Sequence, residues 1–234
     1  MKVVGIIQAR MDSSRFPEKM MASLGDLSII EWVILRVKKA KFLDNIVLAT
    51  SNEKQDDYLI NVANKYEIQN YRGSKLNVLN RVVEAATQYK ADHVVRICAD
   101  NPFICFDEID DLIEYYKTSE CDLAFNHSPL FNSNFADGFG AEILSSKTLY
   151  EISKEIVLSS HKEHVTKYLY DNNKKFNICS PPCPSELSFP HFKFDIDKIN
   201  DLKKLNHFLN TYKIKIDTSA KDILKSYAKH YLEI

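Results

Sequence analysis

The sequence of 234 residues contains no apolar run that approaches the roughly 20 residues of a membrane-spanning helix. The apolar stretch near its start is too short for the hydrophobic region of a signal peptide, and no small-residue cleavage site follows it. With 45% hydrophobic residues, the chain can bury one sizeable core. We therefore expect a single domain over residues 1–234, located in the cytoplasm, with no membrane partner.

Cysteine is scarce, and its odd count excludes complete pairing. The 5 cysteines fit reduced thiols better than a disulfide framework; they are Cys98, Cys105, Cys121, Cys179 and Cys183. The last two form the close spacing CSPPC, but no second Cys/His pair accompanies them at the spacing of a zinc ribbon. We expect free thiols and no zinc site.

A dense basic stripe with interleaved aromatics is also missing, and the formal net charge is -1. We therefore expect no nucleic-acid partner. Lysine outnumbers arginine by about four to one, and every arginine lies in the first part of the chain: Arg10, Arg15, Arg36, Arg72, Arg81 and Arg96. Because the arginine fork suits bidentate contacts with phosphate or carboxylate, these positions indicate where an anion could bind. Arg36 is the exception, since it falls on the predicted solvent face of a helix and is interpreted as structural.

Continuous Val/Ile strands alternate with amphipathic helices in the first hundred residues. Ser28 and Glu31 have the spacing of a capping box at the start of the first helix. The pattern predicts an α/β fold with a mostly parallel sheet covered by helices on both faces, and ligands bound at the carboxyl ends of the strands. The strands are predicted at Val3–Gln8, 45–50 and His93–Cys98, and the helices at 28–41, 53–66 and 75–90.

Residues 121–190 differ in composition from the preceding part of the chain, because they are rich first in Asn, Ser and Phe and then in Pro. We call them the lobe segment and expect a small irregular lobe inserted for acceptor binding, dimer contact or both. The alternative is plain connecting loops on the same sheet. Its aromatics are expected to be exposed, which predicts a homodimer through this region. After it, HFKFDID predicts a strand, followed by helices over 199–212 and 218–234.

The first strand runs directly into Arg10, Arg15 and Lys19. Backbone N–H groups and three cations at the rim of a sheet suit a triphosphate. The alternative is a set of surface salt bridges to Asp12 and Glu18.

Acidic residues follow two other predicted strands. Asp100 comes directly after one of them, and Asp195 and Asp197 lie two positions apart near the end of another. One carboxylate from each strand end, with phosphate oxygens and water, is a donor set that Mg²⁺ accepts. The alternative for Asp197 is an N-cap of the following helix.

Six motifs in order carry a family resemblance: IIQARMDSSRFPEK, RGSKLNVLNR, VVRICADNPFI, ADGFGAEILSSKTL, HKEHVTKYLY and FDIDKINDL. Over residues 3–206 the chain resembles the spore-coat polysaccharide (SpsF-type) cytidylyltransferases, which are related to CMP-Kdo and CMP-sialic acid synthetases. The resemblance implies a Rossmann-like nucleotidyltransferase that transfers CMP from CTP to an acidic or phosphorylated acceptor, releases pyrophosphate and serves surface polysaccharide biosynthesis. It also implies a homodimer.

The resemblance assigns roles to individual residues. The catalytic set is Arg10, Arg15, Lys19 and Asp100. Nucleotide binding adds Gln8, Ala9, Ser14, Arg72, Gly73, Ser74 and Arg81. The acceptor side is formed by Glu142 and His164, and we expect Arg96 and Asn101 to bind the acceptor with them. Magnesium is held by Asp100 and Asp197, with Asp195 nearby. His164 has an alternative as an ordinary helix-face residue.

The chain departs from the family pattern at several positions. Asp12 and Glu18 stand where glycine is usual, and Asn77 and Asn80 replace carboxylates. Acids beside the phosphates could weaken CTP binding, so one alternative is a degenerate nucleotide-binding protein without turnover. The other alternative is a family 2-like glycosyltransferase, which also combines such a sheet with metal-binding acids.

Overall fold

The computed structural model describes residues 1–127 and 130–232. Its strands are β1 (Val3–Gln8), β2 (Ser23–Leu24), β3 (Leu27–Ser28), β4 (Asn45–Ser51), β5 (Gln69–Gly73), β6 (His93–Cys98), β7 (Leu123–Phe125), β8 (Glu142–Ser145) and β9 (Ile178–Cys179). Its helices are α1 (Ile29–Val37), α2 (Asp57–Lys65), α3 (Val78–Gln88), α4 (Phe106–Thr118), α5 (Ser146–Glu155), α6 (Ser159–Glu163), α7 (Lys167–Asp171), α8 (Ile199–Tyr212) and α9 (Ala220–Leu232).

In this part of the chain, seven strands form one sheet in the order β5-β4-β1-β6-β8-β7-β9, and β2 and β3 form a separate hairpin. The strands β5, β4, β1 and β6 are mutually parallel, so their carboxyl ends meet at one edge. β8 runs antiparallel to both β6 and β7. The predicted α/β class with a mostly parallel sheet is confirmed.

Helices cover both faces of the sheet because alternate residues of each strand point to opposite sides. On β1, Ile7 packs in a core with residues of α1, α2 and α4, whereas Val4 and Ile6 pack with residues of α3 and α5. The predicted capping box at the start of α1 is present, with Glu31 accepting from the backbone N–H of Ser28 at 2.8 Å.

A further apolar cluster lies between α1, α8, α9 and the loop before β8. Phe135 and Phe139 are buried in it with Phe194, and Phe125 is buried as well. Phe131 is 45% exposed. The expectation that the aromatics of the lobe segment are exposed is therefore wrong for Phe125, Phe135 and Phe139, and the C-terminal helices cover the last two. Residues 128 and 129 of this segment lie outside the described residues.

The lobe segment also contributes three strands, β7, β8 and β9, to the main sheet. Pairing of β7 with β9 brings Cys121 and Cys179 to a Cα–Cα distance of 6.0 Å, and a disulfide joins them. The expectation of free thiols is therefore wrong for this pair. It holds for Cys98, Cys105 and Cys183.

Two further local predictions are wrong. The stretch HFKFDID makes no strand beyond an isolated bridge at Lys193, although Phe194 and Ile196 are fully buried. Arg36 is buried rather than solvent-facing, since its guanidinium donates to the carbonyl oxygens of Ile104 and Ile216 at 2.6 and 2.8 Å. Its structural role stands, because these bonds tie α1 to the loops before α4 and α9.

No helix within the described ranges is long and apolar enough to cross a membrane.

Candidate nucleotide-binding site

A cavity of about 530 Å³ opens at the carboxyl ends of β1 and β6. Its size falls within the range of small-molecule sites. Ten residues assigned from the sequence line it: Gln8, Ala9, Arg10, Ser14, Arg15, Lys19, Arg81, Arg96, Asp100 and His164. The structure therefore brings most of the predicted nucleotide-binding residues to one place.

Asp56, which is fully buried and directly precedes α2, anchors the loop that carries the cations. Its carboxylate accepts hydrogen bonds from the backbone N–H of Met11 at 2.8 Å and of Ser51 at 3.0 Å. The loop closes with the N–H of Glu18 donating to the carbonyl of Met11 at 3.2 Å. Glu18 has a φ of 54°, a left-handed conformation that explains why glycine suits this position.

Each cation of the loop contacts a carboxylate distant in sequence. Arg10 donates to Glu163 at 3.1 Å, and Lys19 lies 3.0 Å from Asp100. Arg15 donates two hydrogen bonds to Asp197. The alternative of local salt bridges to Asp12 and Glu18 is therefore wrong for these cations.

Asp12 instead forms an ion pair with Lys75. Hydrogen bonding and charge from Lys75 lower the pKa of Asp12, so the carboxylate stays ionised beside a compensating cation. The acid that replaces a glycine is thus partly neutralised before any phosphate binds.

Asp100 and Asp197 are brought together by the backbone. The N–H of Ile196 donates to the carbonyl of Asp100 at 2.9 Å, and Lys19 contacts both carboxylates, at 3.0 Å from Asp100 and 3.8 Å from Asp197. The helix-cap alternative for Asp197 is wrong, because the N-cap position of α8 is Lys198, and the carboxylate of Asp197 is bound to Arg15. Asp195 points elsewhere, at 3.1 Å from Lys193.

This pair of carboxylates fits Mg²⁺ in kind. Among residues 1–127 and 130–232 no group of three or more His, Cys, Asp or Glu side chains could hold a metal ion by itself. Magnesium usually takes one or two carboxylates and completes its shell with phosphate oxygens and water. Asp100 and Asp197 would therefore hold it together with a bound triphosphate.

The inner wall of the cavity carries buried polar atoms without partners. Gln8 Oε1 and Arg81 Nε are both buried and make no hydrogen bond. Arg81 is only 2% exposed, and burial, with a contribution from Arg10, lowers its pKa to about 10. Since an unpaired buried polar atom is costly, these two atoms are suited to a polar ligand.

Arg96 and Cys98 extend this wall along β6, and behind them lies Glu142 on β8, 1% exposed. Its carboxylate accepts hydrogen bonds from Arg96, Thr166 and Tyr170 and lies 3.1 Å from His127 Nε2. Burial alone would raise the pKa of Glu142, but the charges and hydrogen bonds of Arg96 and His127 together outweigh it and hold the pKa well below its usual value.

Other predicted site residues lie away from the cavity lining. Arg72 is bound to Asp57 and to the carbonyls of Ser51 and Glu53. Those beyond the lining are Arg72, Gly73, Ser74, Asn101, Glu142, Asp195 and Asp197. Of these, Ser74 accepts from Arg81 Nη1, and Asp197 reaches the site through Arg15 and Lys19.

Sequence reasoning missed Asp56, Glu163 and Lys75. Asp56 bonds to Met11 across 45 positions and Glu163 to Arg10 across 153, so no local pattern connects them. The signal for Glu163 is its place beside His164, which was singled out in the same motif.

Comparison with known proteins adds the family. The family model for cytidylyltransferases matches residues 4–233. The chain is 34% identical over 203 residues to an uncharacterized protein of Methanocaldococcus jannaschii, covering 87% of this chain and 81% of that protein. It is 27% identical over 228 residues to the spore coat polysaccharide biosynthesis protein SpsF of Bacillus subtilis, covering 95% and 92%.

The chain is likewise 27% identical over 228 residues to 3-deoxy-manno-octulosonate cytidylyltransferase of Fusobacterium nucleatum, covering 92% of this chain and 88% of that protein. Among solved structures, a cytidylyltransferase from Leptospira borgpetersenii matches with a TM-score of 0.90 and 29% identity. The match covers 99% of this chain and 96% of that one. The Rossmann-like nucleotidyltransferase fold expected from the sequence is confirmed.

Proposed function

The chain belongs to the cytidylyltransferase family, and we propose that it transfers CMP from CTP to a small acceptor that carries a carboxylate or a phosphate. The observation that carries the proposal is the cavity in which Arg10, Arg15 and Lys19 converge beside Asp100. The similarity to SpsF and to a 3-deoxy-manno-octulosonate cytidylyltransferase supports an acidic acceptor and a role in surface polysaccharide biosynthesis.

In the proposed reaction an acceptor oxygen attacks the α-phosphorus of CTP. The new bond joins that oxygen to phosphorus, the bond to the bridging oxygen breaks, and pyrophosphate leaves with the electron pair. The proton of the acceptor hydroxyl passes to solvent. Because the protein does little covalent chemistry, positioning and neutralisation of negative charge supply most of the rate.

The loop cations serve the leaving group. Arg10, Arg15 and Lys19 exchange their carboxylate partners for phosphate oxygens when the triphosphate binds. That exchange frees Asp100 and Asp197, the two residues that would hold Mg²⁺. When bound, the ion supplies Lewis-acid charge stabilisation at the phosphate oxygens.

Neither alternative from the sequence is favoured. Membership of the cytidylyltransferase family argues against a family 2-like glycosyltransferase. The degenerate protein was suggested by acids beside the phosphates, but Lys75 compensates Asp12, and the three cations keep their places in the cavity. We therefore propose an active enzyme.

We also propose a cytoplasmic homodimer. Exposed apolar side chains of the lobe segment support a contact there, among them Leu130 and Phe131, which are 48% and 45% exposed, and Val157 and Leu158, which are 82% and 59% exposed. Light scattering at micromolar concentration checks the dimer, since a monomer mass would contradict it. Cell fractionation checks the location.

The experiment that tests the function is a pyrophosphate-release assay. CTP, UTP and ATP are each supplied with Mg²⁺ and with a panel of sugar acids, phosphorylated acids and neutral sugars. We expect release with CTP and at least one acidic acceptor. The proposal would be contradicted if none of the nucleotides supported pyrophosphate release, or if only neutral sugars acted as acceptors.

A further inference from the structure

Arg96 is set apart from the other cations that line the cavity. Arg10, Arg15 and Lys19 belong to the opening loop, whereas Arg96 projects from the middle of β6. Its Nη1 lies 3.1 Å from Cys98 Sγ, and Cys98 lines the same cavity. The cavity therefore has a second positive group on a rigid strand.

Position along β6 separates this group from the triphosphate end. Arg96 and Cys98 are two positions apart on β6, so they lie roughly 7 Å apart on one face, and Asp100 follows in the turn after the strand. Asp100 contacts Lys19 of the loop, whereas Arg96 lies further back along the strand from its carboxyl end. A ligand whose oxygen reacts near Asp100 can thus place a second group against Arg96.

The orientation of Arg96 is fixed from behind by Glu142. Arg96 Nε donates to this carboxylate, which also receives Thr166 Oγ1 at 2.9 Å and the Tyr170 hydroxyl at 2.8 Å. His127 Nε2 lies 3.1 Å from it. These partners come from three different segments, so the carboxylate cannot turn without breaking several bonds.

A purely structural ion pair is a poor account of this arrangement. Taking two charges out of water costs free energy that a well-packed apolar pair would not. The hydroxyl groups of Thr166 and Tyr170 donate to Glu142, so this carboxylate has partners other than Arg96. Arg96, in contrast, is held where it lines the ligand cavity. The bond to Glu142 uses Nε of Arg96, and 12% of the Arg96 side chain remains accessible.

We propose that Arg96 binds the carboxylate or phosphate of the acceptor, and that Glu142 is a positioning residue that holds Arg96 in place. Glu142 then acts without touching the substrate, in contrast to the lining role predicted from the sequence. This inference rests on the proposed function and specifies how that site selects acids. A guanidinium fork suits such a group because it makes two parallel hydrogen bonds.

The test uses Arg96→Lys and Glu142→Gln, with Tyr168→Phe as a matched control that removes an exposed hydroxyl bonded to Glu155. Calorimetry measures CTP affinity, and pyrophosphate release measures kcat and the KM for the best acidic acceptor of the panel. For Arg96→Lys we expect the acceptor KM to rise at least tenfold while CTP affinity stays within twofold. For Glu142→Gln we expect a smaller rise in the same KM, and for Tyr168→Phe no change.

A second substrate separates recognition of the acid from general damage. The amide analogue of the same acceptor lacks the negative charge, so wild type and Arg96→Lys should use it equally poorly. Equal losses on acid and amide, or a loss of CTP affinity in place of acceptor affinity, would overturn the inference. If Arg96→Lys does not fold, Glu142→Gln decides, because it keeps an oxygen acceptor for the hydroxyl donors. If the wild type binds CTP but turns over none of the acids in the panel, the result would instead refute the proposed function.

Discussion

Arg15 and Asp197 form a bidentate pair, with Nη1 and Nη2 of the guanidinium at 2.8 and 2.9 Å from the two carboxylate oxygens. The pair joins the opening loop to the segment before α8 across 182 positions of the chain. In this arrangement the fork already has the geometry that a phosphate would use, so under the proposed function a bound triphosphate would replace one bidentate partner with another.

The first prediction concerns that fork. Arg15→Lys keeps the charge but turns a planar pair of donors into a point charge, so kcat/KM for CTP should fall about tenfold or more. Steady-state pyrophosphate release at varied CTP measures the effect. Full activity of Arg15→Lys would mean that this side chain does not bind phosphate.

The second prediction concerns the paired acids. Asp100→Asn should lower turnover by roughly 100-fold or more, because it removes a ligand from the predicted metal site. The same is expected of Asp197→Asn. Thermal unfolding should show that both variants remain folded. If Asp197→Asn lowers the melting temperature but keeps its activity, its bonds to Arg15 are structural.

The third prediction concerns the acid beside the phosphate loop. Asp12→Gly removes a carboxylate and leaves Lys75 without its partner, and both changes favour a triphosphate. CTP should bind a few-fold more tightly, as expected for charges about 4 Å apart in water-like screening. Lys75→Met should have the opposite effect, since it leaves Asp12 uncompensated. Calorimetry with CTP at low and high salt measures both, and weaker binding by Asp12→Gly would show that Asp12 supports the loop.

The fourth prediction concerns stability and pH. Burial, with the nearby charges of Asp111 and Asp107, raises the pKa of Glu108 to about 7. The folded state then holds a proton that the unfolded chain loses near its ordinary pKa of 4.5, so stability falls as pH rises from about 4.5 to 7. Glu108→Gln should therefore stabilise the protein at pH 8 by up to about 3 kcal/mol and change little at pH 4.

Urea unfolding at the two pH values measures this difference. Glu114→Gln is a suitable control because Glu114 is exposed and pairs with Lys117 on the same helix. An equal effect of Glu108→Gln at both pH values would contradict the assignment.

The fifth prediction concerns the disulfide. Cys121 and Cys179 are 58 positions apart, and closing a loop of that length restricts the unfolded chain. Cys121→Ser should lower the free energy of unfolding by about 4 kcal/mol on the chain-entropy account. Cys183→Ser, at a free thiol, is the control. If urea unfolding shows this loss of stability for Cys121→Ser only under oxidising conditions, the disulfide itself is responsible. If Cys121→Ser loses no stability, the two thiols are reduced in solution.

Local patterns were enough to predict much of the fold. The apolar run of β1, the capping box of α1 and the run of β6 are each contained in a few neighbouring residues, and each was confirmed. The convergence of Arg10 and Asp100 followed from the rule that parallel strands end at one edge. These features need no knowledge of distant contacts.

The remainder depends on distant partners. β5 has a polar sequence that gives little strand signal, and it forms by pairing with β4. The solvent-facing prediction for Arg36 is wrong because three carbonyls from remote loops accept hydrogen bonds from its Nε and Nη1 in the interior. Glu142 stands in a recognisable motif, but its bond to Arg96 crosses 46 positions and could be seen only in the folded chain.

The reach of the site across the chain also bears on how the protein is made. While the ribosome is still synthesising the region beyond β9, the nascent chain already contains Arg15, Lys19 and Asp100, yet their partner Asp197 has not emerged. The bond between Ile196 and Asp100 is missing for the same reason. Affinity for the nucleotide should thus appear only after the segment before α8 has been synthesised, so a nascent chain that lacks this segment would not sequester CTP.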